Sequence, residues 1–192
     1  MMPILEEKLK EFPDRDKYLK KEHDMKLLTL IDKKVNNNIE LNLGELKFLY
    51  EIDDKISGFG FMEDPRIKEI KSKRNIKRDY SIIFNIKEED VTLSQEEWKK
   101  TPNKFKVLVG NLDLSHYNSL DNIVLPKYIS GNLNLSSLSN ANGIIFPQQV
   151  GGSIDLRSLT SAEGVVLPRR VSGDLNLDRL TTANGLVLPQ YI

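Results

Sequence analysis

Apolar and polar positions follow two rhythms along this chain, and the change falls near Thr101-Pro102-Asn103, a turn-like tripeptide. Beyond it, apolar residues recur at intervals of 21. Leu112, Leu133, Ile154 and Leu175 form one column, and Leu114, Leu135, Leu156 and Leu177 another. Tyr117, Leu138, Leu159 and Leu180 keep the same step, as do Ile123, Ile144, Val165 and Leu186. So do Leu125, Phe146, Leu167 and Leu188, then Ile129, Val150, Val171 and Ile192. Gly110, Gly131, Gly152 and Gly173 mark the start of each unit, and Pro126, Pro147, Pro168 and Pro189 lie near its end. The unit reads G-x-L-x-L-x-x-L-x-x-A-x-G-I-x-L-P-x-x-I-x. Such a repeat outranks any local motif, because no single unit can bury its own apolar set and stacked units can.

Within the unit, G-x-L-x-L alternates with period two and predicts a short strand with both leucines facing a core. G-I-x-L-P predicts a second short strand ended by its proline. Gly143, Gly164 and Gly185 open that stretch, with Asn122 in the first copy. Gly and Asn best tolerate a left-handed backbone, so a positive-φ turn is expected there. Leu120, Ala141, Ala162 and Ala183 fit a tight inside corner.

Stacked units align strands in parallel, in-register ladders about 4.8 Å apart. Asp113, Asn134, Asp155 and Asn176 then form an outward polar ladder beside Asn111, Asn132, Ser153 and Asp174. Asp121, Asn142, Glu163 and Asn184 form another. Carboxylates alternate with amides in the first and the last of these, which avoids a repulsion of roughly 1 kcal/mol between like charges one rung apart. With Ile123 and Leu125 inward, Val124 faces outward, as do Ile145, Val166 and Val187. Three readings of this apolar ladder stand together: plain β-propensity, a surface covered by the chain's own helices or loops, or a face for a partner or for self-association.

The lines Val150-Gly151-Gly152-Ser153-Ile154-Asp155-Leu156 and Val171-Ser172-Gly173-Asp174-Leu175-Asn176-Leu177 resemble the V-x-G-x-L-x-L pattern of leucine-rich-repeat and receptor-L-type solenoids. The resemblance covers about residues 106–192. It lacks a fixed turn Asn and adds the L-P strand. It implies a solenoid and names no ligand. The expected fold class is α+β: a helical N-terminal region over residues 1–103, then a short right-handed parallel β-solenoid of about four coils over residues 104–192.

In the N-terminal region, residues 14–34 read as a helix through Leu19, Met25, Leu28 and Ile31, ended by Asn36-Asn37-Asn38. Asn42-Leu43-Gly44-Glu45 has the form of a capping box, and so has Ser94-Gln95-Glu96-Glu97 before Trp98. Asp64-Pro65 predicts an N-cap with proline at the first helical position, opening a helix to about Arg74. Gly58-Phe59-Gly60-Phe61 reads as a loop. Tyr80-Ser81-Ile82-Ile83-Phe84-Asn85-Ile86 is the one expected strand. Residues 40–90, through Leu43-Gly44-Glu45-Leu46 and Asp64-Pro65-Arg66-Ile67, resemble a module of uncharacterised bacterial proteins; that resemblance implies no activity. The simplest role for this half is to cap the solenoid.

Charge separates the halves further. Residues 1–103 hold 21 Lys/Arg and 22 Asp/Glu, while residues 104–192 hold 7 and 6, so neither half attracts an anionic partner by net charge. The chain has no Cys, which removes disulfides, thiolate metal sites and thiol nucleophiles. His23 and His116 are its 2 histidines, each on a charged or repeat-surface position. No Ser/His/Asp or paired-carboxylate set stands out, and no catalytic group, metal ligand or cofactor is assigned. Lys68, Lys71, Lys73, Arg74, Lys77 and Arg78 cluster, but Glu63, Asp64, Glu69 and Asp79 interrupt them; a solvated face is expected, and nucleic acid is not an expected partner. Gly58-Phe59-Gly60 lacks the third glycine and the strand–helix setting of a phosphate loop.

No stretch approaches the roughly 18 apolar residues of a membrane span, and Met1-Met2-Pro3-Ile4-Leu5 opens no signal-peptide core, so a cytoplasmic protein is expected, with non-classical export the alternative. The last unit stops at Ile192 in mid-repeat, which suggests a longer solenoid or an end that pairs with a second copy. The expected function is a non-catalytic binding or scaffold module engaging protein, or its own copy, through the solenoid. The rival is an enzyme or regulatory domain with its site in residues 1–103; a secreted effector or adhesin is a third.

Overall fold

The computed structural model describes residues 14–60 and 63–192. The opening residues read for a signal peptide, and Phe61 of the glycine loop, lie outside these. The chain divides into two compact units between Asp79 and Tyr80.

The first unit is helical. Helix α1 spans Arg15–Asn36, α2 Leu43–Leu49 and α3 Pro65–Ser72. Helix α4, Ile76–Phe84, crosses the division. Local sequence explains the ends. Asn38 takes a left-handed φ of 56° after α1. Asn42 accepts the Glu45 N–H at 2.9 Å while Glu45 accepts the Asn42 N–H at 2.9 Å, so the box closes in both directions. Asp64 accepts the Arg66 N–H ahead of Pro65. α1 packs on α2 and α3, and Leu28, Ile31, Leu46, Leu49, Ile67 and Ile70 are fully buried.

Buried carboxylates are each answered. Asp24 accepts from Lys20 and from the Ser57 N–H, tying the 55–57 loop to α1. Asp79 accepts two bonds from Arg74 and one from the Tyr50 hydroxyl. Glu45 pairs with Lys34. Burial resists its ionisation, but the Lys34 ammonium and the Asn42 N–H outweigh that and hold its carboxyl below the ordinary value. A group depressed in the folded state adds stability above its unfolded pKa and loses it as pH falls through the folded one. Acidification below about pH 4 therefore loosens the α1–α2 junction, and Glu45→Gln should flatten that part of the acid titration followed by amide exchange at Asn42 and Leu46.

Residues 80–86 are not a strand. Tyr80 to Phe84 complete α4, which buries Tyr80 and Ile83 and leaves Ile82 45% exposed. An unbroken apolar run of this length fits either element. Here Ile76, Tyr80, Ile83 and Phe84 share a helical face, and Asn85, at φ 51°, ends it.

The second unit is a parallel β-solenoid with coils of 21 residues. One sheet has the order β1 (Val91–Thr92), β2 (Val107–Leu108), β4 (Tyr128–Ile129), β6 (Gln149–Val150) and β8 (Arg170–Val171). The other has β3 (Leu112–Asp113), β5 (Leu133–Asn134), β7 (Ile154–Asp155) and β9 (Leu175–Asn176). All pairs are parallel and in register, Leu112 beside Leu133 beside Ile154 beside Leu175. Four rungs span about three turns rather than the four coils expected, since each turn needs a rung at both ends.

The second ladder also lies later than the pattern suggests. It forms after each proline, at Tyr128–Ile129 and its equivalents, not along G-I-x-L-P, where only Val166 and Val187 bridge. The reason is donor supply. The N–H groups of Ile123, Ile144, Val165 and Leu186 close tight turns onto Leu120, Ala141, Ala162 and Ala183, and proline has none to give. Those turns have the left-handed residue expected: Asn122 at 63°, Gly143 at 76°, Gly164 at 71° and Gly185 at 78°.

The core is one contiguous cluster from Trp98 and Phe105 through the leucine columns to Val171. At the fourth rung Leu175, Leu177 and Leu180 are half-buried. Tyr117 departs from its column, 38% exposed where Leu138 and Leu159 are fully buried.

The first rung is closed by a short segment. β1 extends one sheet. Helix α5, Gln95–Lys100, sets Trp98 into the core, 1% exposed. The Gln95 Oε1 accepts the Asp113 N–H at 3.0 Å, and the Asn103 Oδ1 accepts the Val124 N–H at 3.0 Å. These two side chains supply the acceptors that a preceding coil would have offered. Ser94 caps α5, but Glu97 accepts from Thr92 Oγ1 instead of completing the expected box.

Candidate interaction face

Three longitudinal ladders define the solenoid surface. In the first, Asp113, Asn134, Asp155 and Asn176 stand side by side as expected. Each turns a side-chain oxygen back to the N–H two residues on: Ser115 at 2.9 Å, then Ser136, Arg157 and Asp178 at 3.1 Å. Each rung thus builds an Asx turn that bends the coil. The Ser115 N–H holds the Asp113 carboxyl below its ordinary value, and the Arg157 guanidinium does the same for Asp155. These oxygens are committed to the scaffold.

In the second, Asn111, Asn132 and Ser153 bond the N–H one coil on, at Asn132 and Ser153 (both 2.8 Å) and Asp174 (3.0 Å). Amide and hydroxyl thereby stitch successive coils. The stitch explains the unit's opening glycine. A Cβ on Gly131, Gly152 or Gly173 would lie 2.2, 2.1 or 2.6 Å from the stitching oxygen, and within 2.9 Å of the preceding backbone.

The third ladder is apolar. Val124, Ile145, Val166 and Val187 are 52%, 76%, 72% and 67% exposed, so the solenoid's own loops leave them uncovered. This contrasts with Tyr128 of β4, which is buried against Tyr80 and Phe84, ring centroids 5.8 and 4.7 Å away.

Columns of opposite character flank the apolar ladder. On one side stand Asp121, Asn142, Glu163 and Asn184, all exposed. On the other stand Lys127, Gln148, Arg169 and Gln190, all exposed and linked rung to rung by backbone bonds of 2.8, 3.0 and 2.9 Å. The acidic column is legible in the sequence. The basic one follows the same step of 21 with the same alternation of charge and amide, and gains its meaning only from standing opposite the acidic one. Asp121, Lys127, Glu163 and Arg169 make no ion pair among the described residues, although Arg169 Nε donates to Gln190 Oε1 at 2.8 Å.

Elsewhere several charged groups are paired. In the basic cluster Lys73 pairs with Glu69, Arg74 with Asp79 and Arg78 with Glu40, while Lys71 lies 5.5 Å over the Tyr50 ring. A shallow open depression bordered by Asn85, Lys87, Glu89, Asp90 and Lys106 holds the Lys106–Asp90 pair, and Lys106 keeps the Asp90 carboxyl low. A general acid would require the opposite shift. His23 and His116 are exposed and far apart in sequence. Among the described residues, no three His, Asp or Glu groups converge to hold a metal, and no helix is long and apolar enough to cross a membrane. No protein-family model, curated protein or solved structure matches the chain.

Proposed function

We propose that this protein is a non-catalytic binding module whose solenoid, of the leucine-rich-repeat type, docks protein on the Val124–Ile145–Val166–Val187 ladder. The observation that supports this reading is the exposure of all four side chains, from 52% to 76%, in one continuous row. Single exposed aliphatics are ordinary; an uncovered row with charged margins has the makeup of an interface core and rim. A parallel solenoid offers a wide ladder surface for such docking. In the helical unit, Lys73, Arg74 and Arg78 of the basic cluster are engaged in ion pairs and acidic residues interrupt it, and nucleic acid is not part of this reading.

The test uses Ile145→Thr with Val166→Thr, which retains β-branching and removes apolar surface. Solenoid stability should move by less than about 1 kcal/mol, because both positions are exposed and threonine keeps the β-branched shape. A protein partner identified by capture and re-measured with purified components should lose affinity at least tenfold, roughly the effect of deleting two central apolar contacts. Equal binding by both forms would remove this face from consideration and redirect the search to residues 14–103.

A further inference from the structure

The margins of the apolar ladder are ordered, and the order is self-complementary. Across the first rung the exposed residues run Asp121, Val124, Lys127; across the third they run Glu163, Val166, Arg169. The second and fourth rungs carry amides at both margins. Two copies can set this ladder face to face in two symmetric ways. A two-fold axis parallel to the solenoid axis exchanges left and right margins and keeps every rung at its level. Asp121 then meets Lys127 of the second copy, and Glu163 meets Arg169, while amide meets amide at the rungs between. A two-fold axis running across the rungs keeps each margin on its own side and reverses the order of the rungs, so in full register each charged residue meets an amide, and acid meets acid only if the ladders slip by one rung.

We infer that the ladder is a homodimer face, occupied by the same ladder of a second copy with the two solenoid axes parallel. This deepens the protein-binding reading above and rests on it. Four β-branched side chains at the strand spacing present ridges that pack against an identical row, as in other paired β-faces. The glycines beside the row keep the flank low: a Cβ on Gly143 or Gly185 would meet nothing within 4 Å. The four charged margin residues lack ion-pair partners within the described residues of their own chain, and the parallel arrangement supplies one to each. Complementary margins favour this register and orientation, because the reversed pairing leaves all four charges facing amides and like-charge juxtaposition opposes its one-rung slip.

Sedimentation of the 192-residue chain over a wide concentration range tests this directly. The unaltered chain should dimerise. Glu163→Arg places two arginines against each other at both symmetric contacts and should raise the dimer dissociation constant at least tenfold. Arg169→Glu does the same with two carboxylates. The double variant, carrying both changes, should regain the dimer. An equimolar mixture of the two single variants should form a heterodimer that neither forms alone, since one copy is then doubly basic and the other doubly acidic. All these positions are exposed, and circular dichroism of each variant confirms folding.

A chain that stays monomeric, or single variants that dimerise as well as the parent, would overturn the parallel pairing. So would a mixture that fails to associate. A monomer that nevertheless binds a purified protein, and loses it with Ile145→Thr and Val166→Thr, overturns self-pairing while leaving the protein-binding reading intact.

Discussion

Gly152→Ala should destabilise the solenoid by about 3 kcal/mol or more, a large share of the ~5–15 kcal/mol available to a domain. The added Cβ would sit 2.1 Å from Asn132 Oδ1 and 2.8 Å from both the Asn132 nitrogen and the Gly131 carbonyl carbon. The side-chain oxygen could swing away, though only by releasing the Ser153 N–H it holds. The backbone atoms could move only by prising two coils apart. Gly143→Ala is the control. It meets open space but has φ at 76°, so its cost is conformational, about 1–2 kcal/mol. Urea unfolding followed by Trp98 fluorescence measures both, since Trp98 is the chain's 1 tryptophan and is buried. Pairing Gly152→Ala with Asn132→Gly removes the oxygen but not the backbone clash, so only part of the loss should return. Full recovery would show that the amide stitch alone sets the glycine requirement.

Trp98→Ala should cost about 3–5 kcal/mol, through the void left at the closed end of the leucine columns. Its Nε1 is buried without a hydrogen-bond partner, so removing the indole N–H sacrifices no bond. Trp98→Phe should therefore cost far less than the alanine change, its loss confined to volume. Amide exchange locates the damage. The Asp113 and Val124 N–H groups, held by Gln95 and Asn103 of the closing segment, should lose protection before those of Ile154 or Val171. Uniform loss across all rungs would instead show that the coils unfold as one block, with Trp98 no more than an ordinary core residue.

What the amino-acid sequence made legible follows the repeat. The inward columns, the turns at Asn122, Gly143, Gly164 and Gly185, and the outward apolar row all come from residue types held at a step of 21, where four copies average out local ambiguity. Single-copy segments had no such help. Tyr80 to Phe84 suit strand or helix equally by composition, and the helical face shared with Ile76 decided it. Glu97 matched a capping box by spacing, but Thr92, 5 residues before it, competes for its carboxylate. The displacement of the second ladder past each proline needed a count of backbone donors along the turn. The basic margin needed the surface itself, because its meaning lies in standing opposite the acidic one across the apolar row. The roles of Gln95 and Asn103 were invisible for a further reason: each stands in for a coil that is not there.

The stitching of every coil to the next has a kinetic consequence. Its bonds join residues 21 apart, and so do the strand registers from β2 and β3 onward, so these ladder contacts span about a tenth of the chain. Most parallel sheets must close long crossovers before any pairing rewards them, and they fold slowly for that reason. Here each loop closed is short and identical in length to the last. Growth therefore resembles the zipping of a helix more than the assembly of a sheet: one costly nucleus, best made where Trp98 and β1 already present a template, then successive coils added at nearly constant increments. Unfolding should run the other way, by fraying from the fourth rung, with intermediates that differ in the number of coils they retain.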